Sequence, residues 1–158
     1  MQGEPLQNAL AVLTVMAEAE VALQELYKVC AQVWPEDQPF WEGIAAQEAE
    51  HAAAMKRMAS LIEASPDDFI VGRTFNPVAV QTFIRGINTH RERFSRKEVP
   101  KRQALFIVRD IEQSLLENKI TEIARTENAE YQALVKGIVD QTAGHLDVIR
   151  KKCFATPA

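Results

Sequence analysis

The stretch EAEHAAAM, residues 48–55, places a carboxylate and an imidazole three residues apart within an otherwise apolar segment. Residues at positions i and i+3 lie on the same face of an α-helix, so Glu48 and His51 point in one direction. The apolar residues around them repeat with helical spacing, which predicts that this face is buried. A carboxylate buried in such a face requires a partner that compensates for its charge.

The same helical spacing extends over most of the chain, and no segment alternates convincingly between apolar and polar residues. The fold class is therefore predicted to be all-α. Helices are expected at about 5–34, 39–64, 77–94, 102–125 and 127–151. The first two and the last two are separated by short connections, so each pair is expected to form a hairpin. The helix at 77–94 would lie in a long crossover between the hairpins, which is the connectivity of ferritin-like four-helix bundles.

Length and composition indicate a globular protein of ordinary type. The 158 residues suit a single domain, 1–158, and 47% of them are hydrophobic and 25% charged. A net charge of -4 argues against a nucleic-acid partner. No basic leader or long apolar run is evident, so a cytoplasmic location without a membrane partner is expected. Cys30 and Cys153 are far apart in sequence and suggest neither a disulfide framework nor a zinc ribbon.

Five residues of metal-ligand type fall near the centre of an apolar helical face. At about 100° per residue, other acidic residues of the same helices point away from that face. Carboxylate oxygen together with imidazole nitrogen suits iron or manganese, and a divalent cation would offset the buried negative charge. The predicted metal ligands, from four different helices, are Glu20, Glu48, His51, Glu112 and His145. An internally hydrogen-bonded Glu-His pair without metal is the alternative reading of residues 48–51.

The first two helices resemble the rubrerythrin-like branch of the ferritin-like superfamily. In that branch a first-helix Glu has a Tyr seven residues later, as Glu20 and Tyr27 do here, and a second-helix Glu-x-x-His follows, as in AQEAEHAAAM at residues 46–55. The resemblance implies Glu20, Glu48 and His51 as iron ligands, with Glu48 a candidate bridge between two ions. It also implies that Tyr27 lies beside the ligands.

The second half of the chain resembles the family but departs from it at one position. Glu112, in RDIEQSLLENK, is similar to the third-helix Glu, and His145 is similar to the histidine of the fourth-helix motif. Where that motif has Glu, this chain has Thr142, whose neutral hydroxyl holds a divalent ion poorly. Thr142 is accordingly expected to support the site or hold water. Lys119, two turns after Glu112, could substitute for a lost cation, but a rise of roughly 10 Å is long for a direct pair and favours extension of its ammonium toward the bundle end.

The resemblance implies a non-haem iron protein with one or two ions that reacts with peroxide or dioxygen as a di-iron peroxidase or oxidase. Manganese and zinc are alternative metals. The paired C-x-x-C motifs of a rubredoxin domain are absent, so an external electron donor would be needed, and a homodimer is expected from the family. The alternative is a degenerate ferritin-like bundle with one metal or none, acting as a structural or interaction protein. Iron storage would require a hollow cage that the sequence does not predict.

Overall fold

The computed structural model describes residues 3–72, 76–117 and 120–158 and is predominantly helical. The described residues form the α-helices α1 (Gly3–Val33), α2 (Gln38–Ala64), α3 (Pro77–Ser95), α4 (Lys101–Glu117) and α5 (Ala129–Ala155). They also form two short strands, β1 (Phe69–Val71) and β2 (Ala124–Thr126). The predicted all-α fold class is confirmed, and the two three-residue strands are the additional feature that was not predicted.

The predicted helix at 102–125 is too long. In the structure α4 ends at Glu117, a 3-10 turn follows at Ile120–Glu122, and β2 pairs antiparallel with β1. Ile120 and Ile123 have spacing compatible with a helix, but the backbone at Ile123 bonds to Gly72 instead. A Cβ on Gly72 would lie 2.2 Å from the carbonyl oxygen of Glu122, so this close approach requires glycine. Tertiary pairing here overrides local helical periodicity.

The other helices begin within two residues of the predicted starts, and two of them, α3 and α5, carry capping signals. Asn76 accepts a hydrogen bond from the Val78 amide, and Asn128 accepts one from the Tyr131 amide. These are the interactions that satisfy free amides at a helix start. Pro77 occupies the first position of α3, where the absence of an N–H group is tolerated.

The helices pack around an interior to which α1, α2, α4 and α5 all contribute. α1 packs along α2 and also against α3, whereas α4 packs against α5, and α2 contacts α5. By length and composition α1 could cross a membrane, contrary to the sequence expectation, and more than half of its apolar window is buried inside the protein.

Two separate apolar clusters make up the core. One contains the beginning of α1, the end of α2 and the beginning of α5, and the other contains the end of α1, the beginning of α2 and most of α4. In α1 the first cluster stops at Ala19 and the second resumes at Ala22; in α2 the corresponding residues are Ala52 and Ala45. A layer of buried polar side chains lies between the two clusters.

Candidate metal centre

The polar layer contains all five residues that the sequence analysis singled out. Each is buried, with at most 3% of its surface exposed. They form two groups of three in which the ligand atoms lie within 4.8 Å of one another. Glu48 belongs to both groups, which are Glu20, Glu48 and His51, and Glu48, Glu112 and His145.

Glu48 joins the two groups because its two carboxylate oxygens face different histidines. Oε1 lies 2.8 Å from Nδ1 of His145, and Oε2 lies 3.4 Å from Nδ1 of His51. The two imidazole rings stack with centroids 5.6 Å apart. One carboxylate thus serves both halves of the cluster, as expected of a bridging ligand.

The outer carboxylates complete the two groups at longer distances. Glu20 Oε2 lies 3.8 Å from His51 Nδ1, and Glu112 Oε1 lies 3.9 Å from His145 Nδ1. Two ligand atoms that each lie about 2.1 Å from one ion are roughly 3.0 Å apart when they subtend a right angle at the ion. They are roughly 4.2 Å apart when they lie on opposite sides of the ion. The observed distances fall within or close to that range.

Six buried atoms of the cluster have no hydrogen-bond partner among the described residues. They are Glu20 Oε2, both carboxylate oxygens of Glu48, Glu112 Oε2, and Nδ1 of His51 and of His145. The 2.8 Å approach of His145 to Glu48 does not have the geometry of a hydrogen bond. Buried polar atoms are nearly always satisfied, so a cluster of such atoms facing one another fits a cation. The buried Glu and His groups can therefore hold a metal ion.

Two glutamine side chains orient the histidines. His51 Nε2 lies 2.6 Å from Oε1 of Gln141, and His145 Nε2 contacts Oε1 of Gln47. An amide oxygen only accepts, so each Nε2 donates its proton and each Nδ1 is turned toward the carboxylates. Such outer contacts commonly position metal-binding histidines. The contacts are reciprocal, because Gln47 of α2 contacts His145 of α5 and Gln141 of α5 contacts His51 of α2.

Two glutamines contact the histidines in a role that was not predicted from the sequence. Neither Gln47 nor Gln141 is among the residues predicted for the site. The available signal is a repeated spacing: QEAEH at residues 47–51 and QTAGH at residues 141–145 both have Gln four residues before the histidine. Two such motifs at the same level of facing helices would have indicated the paired contacts.

Tyr27 and Thr142, the two residues expected beside the ligands, differ in their contacts. The Tyr27 hydroxyl donates a 2.5 Å hydrogen bond to Oε1 of Glu112, which links α1 to α4. Thr142 is buried, but its hydroxyl donates to the Ile138 carbonyl of its own helix at 2.8 Å. Tyr27 therefore holds a ligand directly, whereas the hydroxyl proton of Thr142 is directed into the α5 backbone. Lys119 lies outside the described residues.

Burial disfavours negative charge in this cluster. Desolvation raises the pKa of Glu20 and of Glu112 well above the usual carboxyl range, and the charge of Glu48 raises both further. The hydrogen bond from Tyr27 acts in the opposite direction on the pKa of Glu112. Without a cation, the cluster consequently retains protons that its carboxyl and imidazole groups share.

The two histidines differ in their protonation. Burial alone would lower the pKa of His51, but its interactions with Glu20 and Glu48 raise it to about 10. Burial, reinforced by the positive charge of His51, lowers the pKa of His145 to about 4. In the metal-free protein at neutral pH, His51 therefore carries a proton on Nδ1 that a metal ion would have to displace.

Carboxylate and imidazole donors of this kind suit iron, manganese and zinc, and the arrangement itself does not distinguish these metals. No protein-family model matches the sequence, and searches of curated proteins and of solved structures find no significant match. Fold and site together define a predominantly helical protein with a buried Glu/His cluster able to hold metal.

Proposed function

We propose that this chain is a ferritin-like protein of rubrerythrin type that binds non-haem iron at two adjacent positions and reacts with peroxide or dioxygen. The observation that carries the proposal is the pair of ligand groups sharing Glu48, with one outer Glu and one His in each group. One Glu from each of two helices plus Glu-x-x-His motifs from two others is the donor set of di-iron carboxylate bundles.

The connectivity of the chain also supports the proposal. α1 and α2 are joined by a few residues, α3 lies in the segment before α4, and α4 precedes α5. Ligands come from α1, α2, α4 and α5, as in a ferritin-like bundle whose crossover contains α3. A cytoplasmic location, an external electron donor and a homodimer remain part of the proposal.

Bound iron would supply a ferrous-ferric couple and an open coordination position. The protein would hold the ions through Glu20, Glu48, His51, Glu112 and His145. Tyr27 would fix the orientation of Glu112, while the glutamine contacts would keep the Nδ1 atoms of both histidines turned inward. The apolar clusters on either side would exclude water from the reacting groups.

Thr142 favours a second candidate function. Its position in α5 corresponds to that of Glu48 in α2, three residues before the histidine, but it supplies no carboxylate. A bundle that has lost this ligand would bind one metal or none and would serve as a structural or interaction protein. In that case, replacing Glu48 and His51 by apolar residues of similar volume would leave stability unchanged or raised.

Metal content separates the two functions. Purified protein would be reconstituted with ferrous iron, freed of unbound metal and analysed for iron atoms per chain. The proposal expects about two, followed by oxidation of the bound iron on addition of hydrogen peroxide. A value near one would support a mononuclear remnant. A value near zero, repeated with manganese and zinc, would contradict the proposal and favour the structural alternative.

A further inference from the structure

A cleft between α2 and α5 leads from the surface to the cluster. It has a volume of about 420 Å³, and Gln47, Gln141 and His145 are among the residues that line it. Three other clefts, the largest of about 570 Å³, contain none of the five ligand residues or their hydrogen-bond partners. The α2–α5 cleft is thus distinguished from these three by its contact with the metal centre.

The inner end of the α2–α5 cleft is a single layer of side chains. His145 is 3% exposed, yet it lines the cleft while its Nδ1 faces Glu48 on the other side. Gln47 and Gln141 are half-buried and bond to the Nε2 atoms of the two histidines. A rotation of either amide would therefore open the layer without moving a helix.

Two helical glycines leave the outer part of the cleft open. Gly43 of α2 and Gly144 of α5 line it, and a Cβ on either would meet no atom within 4 Å. Glycine in a helix interior costs roughly 0.5–1 kcal/mol relative to alanine, so neither position is explained by helix stability or by close packing. A longer side chain at either position would project into this open space and narrow the cleft.

The chemistry of the lining restricts what can pass. The described lining residues include no Asp, Glu, Lys or Arg, and their apolar members are Phe40, Ile44 and Val148. An apolar passage ending at two neutral amides favours small uncharged molecules over ions.

We infer that the α2–α5 cleft is the route by which a small uncharged oxidant, such as dioxygen or hydrogen peroxide, reaches the metal centre, and that Gln47 and Gln141 form its gate. This inference rests on the proposed function. It adds a place of access to the site.

The test uses nitric oxide, a small uncharged probe that binds ferrous iron and is followed by its absorbance change. Iron-loaded protein would be mixed with nitric oxide without oxygen in a stopped-flow instrument. The variants are Gly144→Leu and Gly43→Leu, one on each side of the cleft. The matched control is Gly137→Leu, an exposed glycine two turns earlier in α5 that does not line the cleft and has equally open surroundings.

We expect the nitric oxide association rate to fall about tenfold in both cleft variants, equivalent to about 1.4 kcal/mol of added barrier, and to stay unchanged in the control. Iron per chain, measured on the same samples, should be equal in all four proteins. Equal association rates with full iron content would overturn the access route and leave the proposed function standing. Absence of iron from the wild-type protein would overturn both. If circular dichroism shows that one cleft variant is unfolded, the association rate of the other cleft variant is compared with the control.

Discussion

The two halves of the candidate metal centre differ in their supply of carboxylates at one residue, and that residue determines how the charge is distributed. α1 and α2 contribute two carboxylates and a histidine, whereas α4 and α5 contribute one carboxylate, a histidine and Thr142. Each half has the same Gln-x-x-x-His motif, and each glutamine bonds to the histidine of the other half. The orientation of the histidines is therefore symmetric, while the supply of negative charge is not.

This asymmetry places Glu48 in a unique role among the five ligand residues. Its two oxygens face the two histidines separately, so no second carboxylate is needed to connect the halves. A fourth buried carboxylate would add negative charge that the metal-free protein would have to protonate. A threonine at position 142 therefore spares the metal-free protein one further buried carboxyl group.

The largest effect is expected from Glu48→Gln. Because this carboxylate belongs to both groups, its loss should remove metal from both positions, whereas Glu20→Gln or Glu112→Gln should remove it from one. Metal atoms per chain, measured by elemental analysis, check this comparison. Glu50→Gln, an exposed change in the same helix, serves as the control and should retain full occupancy. Retention of one ion by Glu48→Gln would show that Glu48 is not shared.

Thr142→Glu should make the two halves alike. We expect metal to be retained more strongly against a chelator, and the free energy of unfolding of the metal-free protein to fall by about 3 kcal/mol because another carboxyl group is buried. Chemical denaturation with and without metal measures both quantities. Thr14→Glu is the matched control, since Thr14 is exposed and makes the same hydrogen bond to the carbonyl four residues earlier. If the metal-free Thr142→Glu variant is as stable as wild type, the charge explanation is wrong.

Tyr27→Phe should weaken only the half that contains Glu112. The Tyr27 hydroxyl donates a hydrogen bond to Glu112 Oε1. Removing the hydroxyl leaves the Glu112 side chain without this support and further raises the pKa of the Glu112 carboxyl. We expect metal affinity at this position to fall about tenfold. Metal titration followed by calorimetry resolves the two positions. Tyr131→Phe is the control, because the buried Tyr131 hydroxyl has no partner among the described residues, and its removal should cost no stability.

A further comparison comes from pH, whose effects on stability have opposite signs for the two histidines. The pKa of His51 is about 10 in the fold and about 6.5 when unfolded, so its stabilisation is complete below pH 6.5 and is lost as pH rises toward 10. The pKa of His145 is about 4, so its contribution is complete above pH 6.5 and is lost as pH falls toward 4.

Denaturation of the metal-free protein across pH measures these slopes. His51→Gln should flatten the alkaline side of the stability profile, and His145→Gln should flatten the acidic side. Metal affinity should rise with pH over the alkaline window, because metal competes with the proton on His51. Identical profiles for both variants would contradict the assigned pKa difference.

The helices and the five ligand-type residues were predictable from the sequence because both depend on geometry within one helix. At a fixed rotation per residue, a polar residue in an apolar stripe must face the interior, whichever helix covers it. Asn76 and Asn128 signal two helix starts in the same local way. The position and type of these features follow from neighbours in the chain.

Tertiary structure alone decided the contacts between helices. Gln141 lies at the edge of its apolar stripe, and only the packing of α5 on α2 brings its amide to His51. The early end of α4 depends on β1, which is distant in sequence and supplies the backbone partners for β2. Helical periodicity sets the direction of a side chain within its own helix. The partner that it meets depends on how separate helices and strands pack, and the spacing of residues along the chain does not contain that information.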